Sequence, residues 1–331
     1  MALGFFDGVH MGHRAVIQGC VENKGEYRSI VLTFLESPAK ALGKTAPDLL
    51  SDNTRKAELI KELGADDLIF ADFCRMKDME PAEFVQKILC EQLNAKRVYC
   101  GFNFHFGARG KGDTAALQRL CEERGIGVSV KEPVTIDDEQ VSSSLIRELI
   151  RGGEIGKANS LLGYRYAIEG TIGSGNHIGT GMGFPTVNLP IEKGTAIPRF
   201  GVYASDVMID GKRYKGATNI GVHPTVGENE TPLCETFLLN FSGGDLYGKK
   251  VRCELKEFIR PEKRFDSMEE LTEQIRKDCL RWNDDYLKWL KNTKAMRNHL
   301  SDSRMVNWLA GLKELTKASD EQMHLYFPEY Y

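Results

Sequence analysis

Apolar residues recur along this chain in two rhythms. Up to about residue 160, short unbroken apolar runs alternate with longer stretches in which apolar side chains return every three or four positions, the signature of buried strands alternating with amphipathic helices. The predicted strands are Ser29-Ile-Val-Leu-Thr-Phe34, Asp67-Leu-Ile-Phe-Ala71, Arg97-Val-Tyr-Cys-Gly101 and Gly127-Val-Ser-Val-Lys131. The predicted helices run from Asp52 to Leu63, with Asp52 as N-cap and Leu59, Ile60 and Leu63 on one face, from Pro81 to Leu93, and from Thr114 to Arg124. Strands and helices in alternation imply a parallel sheet covered on both faces, with ligands bound at the carboxyl ends of the strands.

Near Gly163 the pattern changes to short β runs separated by Gly, Pro, Asn and Asp: Arg165 to Ile172, Gly201 to Ile209, Lys215 to Ile220, Glu235 to Asn240 and Lys250 to Phe258. This reads as a small antiparallel barrel. A helix is then expected from Asp266 or Ser267, with Met268, Leu271, Ile275, Cys279, Trp282, Tyr286 and Trp289 forming one apolar stripe packed on the barrel. A further amphipathic stretch carries Met305, Trp308, Leu309, Leu312 and Leu315 in phase. The division expected is 1–162, 163–290 and a helical extension over 291–331.

Composition narrows the function classes. Lys+Arg 44 against Asp+Glu 47 leaves a net charge of -3, without the basic excess that counterion-release binding of nucleic acid favours. No apolar run reaches membrane-spanning length, and the eight cysteines show no C-x-x-C pair or zinc-ligand spacing. The expectations are a cytoplasmic protein with reduced thiols, small-molecule substrates and no nucleic-acid or membrane partner, a homo-oligomer being left open. Gly, at 33 residues, exceeds the average share and concentrates in particular loops.

The first such loop is Gly4-Phe-Phe6-Asp7-Gly8-Val-His10-Met-Gly12-His13, a strand end and Gly-rich turn opening a helix. Backbone N–H groups and two imidazoles there suit a phosphate whose charge builds during adenylyl transfer, although two His at this spacing also suit a metal or the surface. Val141-Ser-Ser143-Ser144-Leu-Ile-Arg147 places hydroxyls at a helix start with an Arg one turn on, which caps the helix or clamps a leaving pyrophosphate. Between them, Gly101-Phe-Asn103-Phe104-His-Phe-Gly107-Ala-Arg109-Gly-Lys-Gly112 suits a cover for a flat ring and a phosphate, or a strand extension whose Phe residues fill the core.

In the second half, the run from Gly170 to Gly183, which includes Gly173 and Gly175, has six glycines in fourteen residues. Its backbone can approach phosphates closely. Pro185-Thr186-Val-Asn188 follows, and Thr186 and Asn188, two apart on a strand, offer neutral oxygens to Mg²⁺, which needs few protein ligands beside phosphate oxygens and water. Glu235 is the candidate base for a phosphoryl-acceptor hydroxyl, against the alternative of a solvated edge charge.

Taken together, these segments resemble the bacterial bifunctional riboflavin kinase/FAD synthetases. Gly4 to His13, Gly101 to Gly112 and Ser142 to Arg147 are similar to that family's FMN adenylyltransferase module. Gly183 to Asn188, Gly201-Val-Tyr203, Asn219-Ile-Gly221, Leu246-Tyr-Gly248 and Arg260 to Phe265 are similar to its riboflavin kinase module. The resemblance spans about residues 1–290. It implies an α/β plus all-β chain: a Rossmann-like nucleotidyltransferase domain, then a Greek-key antiparallel β-barrel with C-terminal helices.

It further implies that riboflavin takes the γ-phosphoryl of MgATP at Thr186, Asn188 and Glu235, and that FMN attacks a second ATP at His10 and His13. Asn103, with Phe104, Arg109 and Arg260, would meet the flavin, and Ser143, Ser144 and Arg147 the triphosphate.

Some positions depart from the family pattern. Leu35-Glu-Ser-Pro38 replaces a His-Pro-containing segment, and His105, Thr180 and Asn240 stand where Arg or Thr, Arg, and Asp are usual. Only Met1-Ala-Leu3 precede the first motif, where the family carries most of a central strand. An adenylyltransferase half weakened by exposed sheet edges, or a sequence that begins late, is therefore expected. The alternatives are a kinase that stops at FMN and a flavin-binding regulator without catalysis.

Overall fold

The computed structural model describes residues 1–172, 186–222, 231–239, 241 and 246–265, together with 267, 270, 274, 277 and 278. The chain divides into two units. The first comprises Met1–Gly152, Lys157–Tyr164 and Lys193–Ala196; the second comprises Gly153–Gly156, Arg165–Glu192 and Ile197–Tyr331.

In the first unit a short strand β1 (Ala2–Leu3) joins the apolar runs, which become β2 (Ile30–Phe34), β3 (Asp67–Ala71), β4 (Arg97–Gly101) and β5 (Gly127–Lys131), all parallel and in the order β3-β2-β1-β4-β5. This is the doubly wound arrangement, with β1 at its centre. β1 has only two residues, yet it pairs on both sides, Ala2 and Leu3 with Val31 and Leu32, and Ala2 with Tyr99. Successive residues point to opposite faces and so build two cores. Ala2, Val31 and Tyr99 pack with Val16 and Ile17 of α1 (Met11–Glu22).

A short α2 (Pro38–Ala41) intervenes before α3 (Asn53–Glu62), whose Leu59 and Ile60 complete that layer. Asp52 caps α3 by accepting from the Arg55 N–H at 2.6 Å. On the other face Leu3, Leu32, Val98 and Cys100 meet Phe84, Val85, Ile88 and Leu89, from a helix that starts as α4 (Pro81–Glu83) and continues as a π-helix over Phe84–Gln92. Leu117 and Cys121 of α5 (Thr114–Glu122) join the same core.

A hairpin of β6 (Thr135–Ile136) and β7 (Glu139–Gln140), absent from the sequence reading, leads to α6 (Ser143–Gly152) and α7 (Ile155–Leu162). Its turn places Asp137 and Asp138 at φ 50° and 63°, a backbone region that short polar side chains tolerate.

The second unit is antiparallel: β8 (Ala167–Thr171), β9 (Thr186–Pro190), β10 (Gly201–Ile209), β11 (Lys212–Val222), β12 (Pro232–Leu239) and β13 (Lys250–Arg260), in the order β8-β13-β10-β11-β12-β9. Three consecutive hairpin strands with the fourth returned beside the first is the Greek-key order, and the six strands form a nearly closed barrel. Its interior holds Ser205, Thr218, Thr236 and Cys253 in one hydrogen-bonded chain, with every hydroxyl partnered. The helix expected from Asp266 or Ser267 shows its capped start, where the Glu270 N–H donates to Ser267 Oγ at 3.2 Å. The rest of its apolar stripe and the stretch from 291 lie outside the described residues.

Candidate active sites

The Gly-rich turn between β1 and α1 reverses the chain through three left-handed residues, Phe6 at φ 52°, Gly8 at 77° and Val9 at 38°. For Phe and Val this backbone is costly and persists only where its surroundings impose it. They do: Tyr164 Oη donates to the Gly8 carbonyl at 2.6 Å, Arg14 Nε to that of Val9 at 3.2 Å, and Thr33 Oγ1 to that of Phe5 at 2.8 Å. At Gly8 a Cβ would also come within 2.8 Å of Leu50 Cδ1, so only glycine fits.

The turn delivers His10 as the N-cap of α1, its Nδ1 accepting from the His13 N–H at 3.3 Å. That acceptance puts the ring proton on Nε2. The His13 ring stacks on it at 3.6 Å, nearly parallel, with Phe6 edge-on at 5.4 Å. His13 Nδ1 is buried without a hydrogen-bond partner among the described residues, a polar atom whose desolvation a phosphate oxygen would offset.

Burial makes both imidazoles weak bases. His10 is pushed down to about 4, first by desolvation, with Arg147 adding to it; His13 is held well below the ordinary range by burial, His10 and Lys56. At neutral pH the pair is therefore two neutral N–H donors. Unfolding restores ordinary affinity for protons, so the first unit should lose stability as pH falls from about 6.5 toward 4 and keep it in full above 6.5. His10 alone accounts for about 3 kcal/mol across that window. Thermal unfolding followed between pH 7 and 4 should show this decline in wild type and a shallower one in His10→Asn.

The turn borders a cavity of about 630 Å³. Gly4, Phe6, His10, Gly12 and His13 line one wall, Ser143 and Ser144 another, and Asn103, Phe104 and Arg109 of the loop after β4 a third. The sheet order brings these segments together, since β1 and β4 are neighbours. Phe104 is half-buried and stacks on Phe106 at 5.8 Å; Phe106 itself is core.

Three residues expected at phosphates are bonded to other parts of the first unit. Asp7, Gly8 and Arg147 are absent from the cavity wall. Arg147 is buried and donates to the Asp48 carbonyl at 2.6 Å and to the Asp7 carboxylate. Asp7 in turn accepts from the Leu50 N–H at 2.9 Å, and the Gly8 N–H donates to Ser51 Oγ at 3.3 Å. Burial raises the Asp7 carboxyl above its ordinary range, and Arg147 pulls it back. These contacts fasten residues 48–51 beneath the turn. Ser142 caps α6 by accepting from the Leu145 N–H at 3.2 Å, while Ser143 Oγ donates to the Asp7 carbonyl at 3.1 Å.

In the second unit the register aligns Asn188 of β9, Glu235 of β12 and Asn219 of β11 as directly paired residues, with Thr186 opposite Phe237 two residues along on the same face. Paired residues share a face with Cβ atoms about 5 Å apart. Glu235 faces opposite to Thr236, whose hydroxyl is in the barrel interior, so the row lies on the outer surface. There Val202, Asn219, Glu235, Phe237 and Arg260 line a pocket of about 140 Å³.

Arg260 does not reach freely into that pocket. Its Nε donates to both Asp278 oxygens at 2.9 and 3.0 Å, and its Nη1 to the Pro261 carbonyl. Gly173, Gly175 and Gly183, the expected phosphate-binding glycines, lie outside the described residues, as do Thr180 and Asn240. Thr186 and Asn188 supply only neutral oxygens and stand beside the Glu235 carboxylate, a donor set that fits a hard cation shared with phosphates. Among the described residues no group of three His, Cys, Asp or Glu forms a metal cluster.

Residues that the sequence reading did not single out complete the first site: Leu50, Ser51, Lys56 and Tyr164. Their contacts with the turn cross at least 43 residues of chain, and no local motif marks such partners.

Comparison with known proteins gives a consistent result. A family model described as FAD synthetase matches residues 1–145, and one described as Riboflavin kinase matches residues 162–285. A bifunctional riboflavin kinase/FMN adenylyltransferase from Bacillus subtilis is 35% identical over 286 residues, 84% of this chain and 89% of that protein. Proteins of the same description from Listeria monocytogenes and Escherichia coli are each 33% identical, over 84% and 85% of this chain and 89% and 90% of theirs. A solved structure described as a macrolide-efflux protein from Streptococcus pneumoniae aligns with TM-score 0.75 and 29% identity, covering 84% of this chain and 91% of that one.

Proposed function

The chain belongs to the bifunctional riboflavin kinase/FMN adenylyltransferase family, phosphorylating riboflavin to FMN and adenylylating FMN to FAD with ATP, and from its two sites we propose how each reaction is carried out. The observation that carries the assignment is the stacked His10–His13 pair, with an unpartnered buried nitrogen, on the wall of the first unit's cavity.

In adenylyl transfer an oxygen of the FMN phosphate attacks the α-phosphorus of ATP and pyrophosphate leaves. Neutral imidazole donors and α1's N-terminal N–H groups meet the charge building on the α-phosphate oxygens. The half-buried Phe104 offers a ring face to the flavin, Asn103 offers polar contacts, and Arg109 is the cation beside them. Ser143 and Ser144 face the triphosphate. Asp7, Gly8 and Arg147 act from behind by fixing the turn.

In the kinase reaction Glu235 accepts the proton of the riboflavin 5'-hydroxyl as it attacks the γ-phosphorus. Mg²⁺, held by Thr186 and Asn188, would neutralise phosphate charge there. Arg260, fixed by Asp278, borders the flavin side. Both reactions take small-molecule substrates, and no described helix is long and apolar enough to cross a membrane. All described cysteines are free, in keeping with a cytoplasmic location.

Supplying riboflavin and MgATP to the His13→Ala chain tests the first assignment. FMN should form at the wild-type rate, while its conversion to FAD slows by about 10²–10³-fold. Wild-type FAD formation by this variant would remove His13 from the chemistry.

A further inference from the structure

Lys56 of α3 is a lysine almost wholly removed from solvent, 1% exposed, in a region whose chemistry needs positive charge. Its ammonium sits over the ring of Phe5 at 4.2 Å, and Phe5 lines the nucleotide cavity while Lys56 does not. Its named electrostatic neighbours are Asp7, which favours the charged form, and His13, whose protonation it opposes. A lysine buried on an aromatic face with one shared carboxylate is costly to keep, because Asp7 is already bound to Arg147. Two buried cations thus share one carboxylate behind the imidazoles, leaving a net positive charge there.

We propose that Lys56 is a positioning residue for adenylyl transfer, its ammonium holding the Phe5 wall of the cavity and supplying fixed positive charge to the His10–His13 pair from behind. This rests on the assignment of FMN adenylylation to that cavity. The charged groups that act on the pair are Lys56 from α3, which bears on His13, and Arg147 from α6, which bears on His10; Asp7 is the carboxylate that feels both cations. Burial brings Lys56 down to about 8, so below that pH it is charged while both imidazoles remain neutral. Neutrality matters, because protonating His10 Nδ1 would destroy its acceptance of the His13 N–H. Removing the Lys56 charge relaxes the opposition to imidazole protonation and moves that event to higher pH.

The test uses the full chain with Lys56→Met and Lys56→Arg, measuring FMN adenylylation from pH 5 to 9 and riboflavin phosphorylation as an internal control. Lys56→Met should lower the kcat of adenylylation by about tenfold, leave KM for FMN and ATP nearly unchanged, and shift the acid limb to higher pH. Lys56→Arg, still charged and able to stack on Phe5, should restore most of the rate and the wild-type limb. Phosphorylation should be unchanged in both. If Lys56→Met only lowers the melting temperature, with wild-type kcat and acid limb, the proposal fails. Should Lys56→Met not fold, Lys56→Arg decides alone: a limb displaced from wild type overturns the proposal, and a limb in place supports it. Absence of FMN adenylylation in wild type would instead overturn the assignment of the cavity.

Discussion

Replacing Glu235 by Gln should slow riboflavin phosphorylation by about a thousandfold, equivalent to ~4 kcal/mol of lost transition-state stabilisation. The substitution keeps volume and hydrogen-bonding capacity but removes the basic carboxylate from the row formed with Asn188 and Asn219. The strands carrying that row are fixed by pairing on both sides of β12, so the barrel should melt as wild type does. A steady-state assay of FMN formation checks the rate, and calorimetry checks the fold. A loss of tenfold or less would return Glu235 to the role of an edge charge.

The second large effect falls on stability. Arg147→Met should destabilise the first unit by about 3–5 kcal/mol, because it leaves the Asp7 carboxylate buried without its guanidinium partner. The Asp48 carbonyl loses its donor in the same change, and residues 48–51 lose their hold on the turn. Combining it with Asp7→Asn should cost less than the sum of the two single changes, as coupled partners do. Chemical unfolding of the three variants measures this. Wild-type stability with a raised KM for ATP would instead make Arg147 a triphosphate contact, the role its place after the Ser residues first suggested.

Strands β3, β4, β5 and β10 fall where the apolar runs place them, because their side chains alternate between buried faces and Gly, Asp or Asn bound them. The Gly4–His13, Asn103–Arg109 and Ser143–Ser144 segments could be assigned to one cavity because a parallel sheet gathers loops at one edge. The sequence motif could not show the side of the turn on which each residue acts. Asp7 and Gly8 lie inside it, yet they bond to Leu50 and Ser51, which no periodicity connects to them. The amphipathic pattern over Asp52 to Leu63 places Lys56 on a helix, where a lysine ordinarily faces water. The short first strand still pairs on both sides, Ala2 and Leu3 with Val31 and Leu32 of β2 and Ala2 with Tyr99 of β4. In the barrel, the Glu235 row depends on the mutual register of β9, β11 and β12, and residue types alone do not give register.

The central claim is that one chain carries two chemically separate sites, and the flavins formed by the Glu235→Gln chain supplied with FMN and MgATP test it most directly. Separation of the products should show FAD appearing at the wild-type rate, although the same chain forms almost no FMN from riboflavin. Loss of FAD formation from FMN in that variant, with its fold intact, would contradict the separation of the two sites.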